Sequence, residues 1–112
     1  NLKIFKQLNK ATNNKPWVML SSGMSKQNFI ECLKLAYKSG ASGYLAGRSI
    51  WLSAFEKYPN LKEVELGLNK SIVYMQKLNK LTKTNAKSME KYLTKKFKLN
   101  NPKKFTDQFK KF

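Results

Sequence analysis

The sequence predicts an α/β fold with a parallel sheet. Helix-period segments alternate with short, continuously apolar ones over the first 60 residues, and the connections between them are only a few residues long. The apolar runs are bounded by Gly, Ser and Pro, as strands of a buried parallel sheet are.

Each element has its own signal. Leu2, Ile4, Phe5 and Leu8 recur at helical spacing between lysines, and Asn13, Asn14 and Lys15-Pro16 end that segment. Trp17-Val18-Met19-Leu20, between Pro16 and Ser21-Ser22-Gly23, reads as a strand buried on both faces. Ser25 then supplies an N-cap for a helix carrying Phe29, Ile30, Cys32, Leu33, Ala36 and Tyr37, with Gly40 where a terminating glycine belongs. Ser42-Gly43-Tyr44-Leu45-Ala46 reads as a second strand and closes on Gly47-Arg48, after which Ser49 can cap a brief helix through Ile50, Trp51 and Phe55. Beyond Pro59-Asn60 a longer helix over residues 61–83 shows the stripe Leu61, Val64, Leu68, Ile72, Met75 and Leu78. Residues 84–112 form a lysine-rich tail that Pro102 splits into two helical pieces, its last ten residues expected to be poorly anchored.

Composition narrows the chemistry. With one cysteine, Cys32, and no histidine, the chain can form neither an internal disulfide nor a Cys/His zinc site. No apolar run approaches the roughly 18 residues needed to span a membrane, and the start lacks a signal-peptide core, so a cytoplasmic protein is expected. The formal charge is +17, with 22 lysines and a single arginine, Arg48. Residues 1–60 carry nine basic and two acidic groups and residues 61–112 fourteen and four, so the charge is spread along the chain. Such a density attracts polyanions, and lysine-aromatic runs such as Lys95-Lys96-Phe97-Lys98 and Lys103-Lys104-Phe105 suit a small basic helical module binding nucleic acid or anionic surfaces. Scarcity of arginine, the residue that makes bidentate phosphate and base contacts, counts against nucleic acid.

Two turns carry a sharper hint. Ser21-Ser22-Gly23 and Gly47-Arg48-Ser49 each follow a predicted strand, one βα unit apart. Small residues let backbone N–H groups approach an anion, the helix starts that follow add partial positive charge, and Arg48 supplies a bidentate cation. Either turn alone is ordinary turn chemistry. Together, after adjacent strands, they describe a phosphate site of the kind built by the last two loops of an eight-fold βα barrel. Lys15 and Lys26 lie near the strand ends but read as solvated surface lysines, Glu31 as an exposed helix residue, and Trp17, Tyr44 and Trp51, which could line a ligand pocket, more simply as packing residues.

The stretch Lys15 to Trp51, KPWVMLSSGMSKQNFIECLKLAYKSGASGYLAGRSIW, resembles the seventh and eighth βα units of the tagatose 1,6-bisphosphate aldolase family and the related sulfofructosephosphate aldolases. Those share P-W-V-x-L-S-[SA]-G, a helix, and G-A-S-G-[FY]-L-A-G-R-[AS]-x-W. The resemblance implies the carboxyl-terminal part of a (β/α)8 TIM barrel, with residues 1–83 holding a remnant of helix 6 and βα units 7 and 8. It implies a class I aldolase that cleaves a ketose phosphate through a lysine Schiff base, without metal or other cofactor. It further implies that Ser21, Gly23, Gly47 and Arg48 bind the substrate phosphate while Ser22 and Leu45 line the site. The family's reactive lysine lies on the sixth strand, so the catalytic residues are expected upstream of Asn1. A complete barrel takes roughly 200 residues or more, and this chain has 112 and opens on Asn1 rather than methionine. The resemblance is thus to a fragment, inactive alone, whose partners are a sugar phosphate and the rest of the barrel, in the same or another chain. A homo-oligomer is compatible with it. A remnant of a split gene is a third reading.

Overall fold

The computed structural model describes residues 2–90 and Tyr92. Helix α1 (Leu2–Ala11), strand β1 (Val18–Leu20), helix α2 (Lys26–Lys38), strand β2 (Gly43–Leu45), helix α3 (Arg48–Phe55) and helix α4 (Leu61–Asn85) follow in that order. The predicted alternation is present, and the fold is α/β.

The two strands pair in parallel, with Val18 opposite Gly43, Met19 opposite Tyr44 and Leu20 opposite Leu45. Ser42 N–H to Trp17 C=O (2.8 Å) and Ser21 N–H to Leu45 C=O (3.1 Å) extend the ladder at both ends. Side chains alternate across a strand, so Met19 and Tyr44 turn toward the helices while Val18, Leu20 and Leu45 take the other face. The expectation of burial on both faces fails there: Leu20 is 57% and Leu45 62% exposed, because no described element covers that face.

Helix α2 carries the core. The Ser25 hydroxyl accepts from Asn28 N–H at 3.2 Å, satisfying one of the first-turn donors. At the other end Gly40 N–H reaches Tyr37 C=O and Ala41 N–H reaches Ala36 C=O, the paired bonds of a Schellman ending. That ending needs a left-handed residue, and Gly40 has φ +102. A Cβ at Gly40 would also stand 2.8 Å from the side-chain oxygen of Asn9, which accepts from the Trp17 indole N–H at 3.1 Å. One close approach thus joins the ends of α1 and α2 to the start of β1. Helix α1 contributes little else: Phe5 stacks on Trp17 at 6.4 Å, but Ile4 and Leu8 of its predicted apolar side face solvent.

Phe29, Ile30, Leu33, Ala36 and Tyr37 of α2 pack with Ala41 and with Tyr74 and Leu78 of α4, and Phe29, Leu33 and Leu78 are sealed from solvent. Truncating such a leucine to alanine costs about 2–5 kcal/mol. Helix α4 runs parallel to α2 and is tied to it at two levels. The Tyr74 hydroxyl donates to Lys26 C=O at 3.2 Å, and Tyr37 and Thr82 share a hydroxyl hydrogen bond of 2.6 Å. Against α3 it presents small residues. The Ser71 hydroxyl donates to Ile50 C=O (2.6 Å) and to Gly67 C=O, and a Cβ on Gly67 would lie 2.8 Å from both Cα and Cβ of Ala54. The packed side of α4 is therefore Val64, Gly67, Ser71, Tyr74 and Leu78. Of the stripe expected from the sequence, Val64 and Leu78 are buried, whereas Leu61, Ile72 and Met75 are exposed. The expectations for the tail from residue 93 on lie outside the described residues.

Gly67→Ala would raise helix propensity by about 1 kcal/mol, yet it forces α3 off α4, and overpacking of this kind costs about 1–3 kcal/mol. A net loss in chemical denaturation is expected, and an unchanged or raised midpoint would refute the close contact. The phenols of Tyr37, Tyr44 and Tyr74 are held above their ordinary value of 10.0, chiefly because burial desolvates the phenolate. Their folded values exceed the unfolded ones, so the stability they contribute is whole below pH 10.0 and is lost as pH rises through the folded values. Phenolate absorbance on titrating the native chain should lag that of the chain in denaturant; coincident curves would refute this.

Candidate functional site

Parallel pairing brings the carboxyl ends of β1 and β2 side by side, and the loops that follow form an open cavity of about 1330 Å³. Leu20, Met24, Leu45, Trp51 and Leu52 give it apolar walls. Ser21, Ser22, Gly23, Ser25 and Lys26 border it on the β1 side, and Gly47, Arg48, Ser49, Ser53 and Glu56 on the β2 side. All six residues expected from the sequence, Ser21, Ser22, Gly23, Leu45, Gly47 and Arg48, line this one cavity.

The first loop is a tight turn closed by Met24 N–H to Ser21 C=O at 2.8 Å. Its central residues both have positive φ, +41 at Ser22 and +77 at Gly23, as a type I′ turn requires. The turn leaves the amides of Ser22 and Gly23 without a hydrogen bond among the described residues. In the second loop Gly47 stands at the N-cap of α3 with no side chain to satisfy the helix's first donors. A Cβ on Gly23 or on Gly47 would meet nothing within 4 Å, so neither side chain was omitted to relieve a clash with this chain. The space belongs to the cavity. Arg48 opens α3, is exposed, and makes no ion pair or hydrogen bond among the described residues.

The loops are joined directly. The Ser49 hydroxyl donates to that of Ser21 at 2.9 Å, and Ser21 is buried to within 7% of full exclusion. Ser21 spends a lone pair on that bond and keeps its own hydrogen for another acceptor. Ser49 therefore links the loops instead of capping α3; it lies one residue inside the helix that it was expected to cap. Two further expectations are corrected. Lys26, read as a solvated lysine, is half-buried at the cavity's edge with its ammonium 5.2 Å above the Tyr74 ring. Trp51, read as packing, is 42% exposed on the cavity wall and meets Phe55 edge-on at 5.8 Å. The same first-turn position after the Ser-Ser-Gly loop that led to the solvated reading is what brings Lys26 to the cavity. Trp17 and Tyr44 do pack, Tyr44 against Phe29 and through its hydroxyl to Asn79 at 2.7 Å, and Glu31 is exposed and paired with Lys34 at 2.9 Å. Lys15 is exposed.

Among the described residues no three His, Cys, Asp or Glu side chains converge as metal ligands, and no helix is long and apolar enough to cross a membrane. The basic runs at 95–98 and 103–105 lie outside the described residues.

Residues 1–53, which hold both strands and both cavity loops, match the model of the DeoC/LacD family aldolases. The resemblance seen in Lys15 to Trp51 is thus borne out: residues 1–53 are similar to the aldolases of that family. Over 63 residues the chain is 43% identical to the tagatose 1,6-diphosphate aldolase of Lactococcus lactis subsp. lactis. That alignment takes in 54% of this chain and 18% of that enzyme, so the chain spans less than a fifth of the relative's length.

Alanine at Gly23 would be held at φ +77, which costs a residue with a Cβ about 1–2 kcal/mol even where space is free. Gly23→Ala should lower the denaturation midpoint accordingly; an unchanged midpoint would mean that the turn is not formed as described.

Proposed function

We propose that the chain is the phosphate-binding, carboxyl-terminal part of a class I aldolase built as a (β/α)8 barrel. The substrate class is a ketose phosphate or bisphosphate such as tagatose 1,6-bisphosphate, cleaved to dihydroxyacetone phosphate and glyceraldehyde 3-phosphate. The observation that carries this reading is the convergence of Ser21-Ser22-Gly23 and Gly47-Arg48 at the ends of two adjacent parallel strands, within the family-matched residues. Ser21 Oγ–H, the amides of Gly23 and Gly47, and the Arg48 guanidinium would hold the phosphate, with Ser22 and Leu45 lining its surroundings. Charge-assisted hydrogen bonds from a fork-shaped cation and from freed backbone donors are the strongest polar contacts such a site can make.

The residue that forms the Schiff base with the substrate carbonyl lies, on this reading, outside these 112 residues. Cleavage breaks the bond between the carbons α and β to that carbonyl, the Schiff base taking up the electron pair, and needs neither metal nor other cofactor. The chain alone is then inactive, and its partners are the sugar phosphate and the remaining barrel, supplied upstream or by another chain; nucleic acid and membrane have no part in it. Residues 1–83 would belong to the barrel of a cytoplasmic enzyme, homo-oligomeric or not, and 84–112 to an appended tail.

The test is a chimera in which this chain's residues replace the aligned stretch of the Lactococcus lactis enzyme. It should cleave tagatose 1,6-bisphosphate, and Arg48→Ala should lower kcat/KM about five- to 150-fold, the equivalent of about 1–3 kcal/mol of lost phosphate contact. Unchanged kinetics in a folded Arg48→Ala chimera would sink the site assignment.

A further inference from the structure

We infer that Lys26 is a second cation of the candidate phosphate site, facing Arg48 across the cavity and making the site selective for a doubly charged phosphate ester over a singly charged anion. This rests on the phosphate reading above and adds to it a residue that neither the family match nor the loop motifs assign.

Three observations carry it. Lys26 lines the same cavity as Arg48 but comes from the other loop's helix, so the two charges approach an occupant from different sides. Lys26 is half-buried, unlike Lys15 at the opposite end of β1, and is not simply one of the chain's many solvated lysines. Its position is also fixed twice by a single residue. The Tyr74 hydroxyl donates to the Lys26 carbonyl at 3.2 Å while the Tyr74 ring lies beneath the Lys26 ammonium at 5.2 Å. A cation-π contact of this kind is weaker than a charge-assisted hydrogen bond. It can park the ammonium beside the cavity, and an anion entering there offers it the stronger partner.

The other charged group on the wall, Glu56, closes the far end of α3, two turns from Arg48. A phosphate is therefore drawn to the loop end, between Lys26, Arg48 and the unspent hydrogen of Ser21. Coulomb attraction scales with ligand charge, so a second cation favours the dianion.

The experiment titrates the full 112-residue chain with glycerol 3-phosphate and, separately, with methyl sulfate, following the backbone amide resonances of Gly23, Gly47 and Arg48. Lys26→Gln should weaken glycerol 3-phosphate binding about five- to tenfold and methyl sulfate binding less, whereas Lys15→Gln should change neither. Lys26→Arg, which keeps the charge, should bind nearly as the parent chain does. If Arg48→Gln weakens binding and Lys26→Gln does not, the inference falls and the phosphate site stands. If Lys26→Arg is as weak as Lys26→Gln, the loss belongs to packing at the start of α2 and the inference again falls. If glycerol 3-phosphate moves none of these amides, the inference and the phosphate reading fall together.

Discussion

The two cavity loops hold their relative position because one helix grips both helices that follow them. Helix α4 meets α3 through a contact so close that Gly67 can carry no side chain against Ala54, and Ser71 fixes the register by bonding to the Ile50 carbonyl. About one turn beyond Ser71, Tyr74 holds the first turn of α2 at Lys26, and near its end Thr82 meets Tyr37. Arg48 and Lys26 are thus placed from behind, by a helix whose Tyr74 contacts Lys26 directly. The strands alone could not do this. Three residues each, paired once, they are too short to resist shear, so the fixed geometry comes from the buried Leu78, Phe29 and Leu33 beneath them.

Local placement, and not the net charge of +17, gives the cavity its character. Charges at the surface are screened over about 10 Å in moderate salt, so lysines spread along the chain add a diffuse attraction common to every anion. What distinguishes this spot is that donors without partners among the described residues gather there: the freed amides of the type I′ turn, the uncapped start of α3, and a serine hydroxyl with its hydrogen unspent. Each exists because a residue of permissive backbone or small side chain occupies a strand's end. Ser49 adds the cross-loop bond that makes two separate turns into one wall.

How much of this was legible depends on where the information is stored. Helix α2 was readable nearly in full, since Ser25 and Gly40 mark its ends by local chemistry and its apolar residues face a single side. The extent of α4 was also readable, but not the side it buries. It has two apolar stripes, and the choice between them was decided by Gly67 and Ser71, residues that a search for hydrophobic spacing passes over because they pack by being small. Ser49 was misread for a related reason: a serine near a helix start suits a cap, and only the pairing of β1 with β2 brings Ser21 within its reach. Lys26 and Trp51 gained their places from the same three-dimensional closure. The six residues named for the site needed none of it, because the loops that carry them are contiguous motifs.

The exposed strand face follows from the same physics as the cavity. A parallel strand pair carries Val18, Leu20 and Leu45 outward, and parallel sheets ordinarily cover both faces. On the reading proposed, that face and the two free strand edges are where the remaining strands and the barrel's inner residues sit, and the apolar cavity wall formed by Leu20, Leu45 and Leu52 continues into them. The phosphate-gripping groups lie at the strand ends, held from the helical side, whereas the apolar face lies along the strands. The grip on the anion and the completion of the sheet thus draw on different residues, which is why a piece of the fold with its outer face bare can still keep the geometry of its loops.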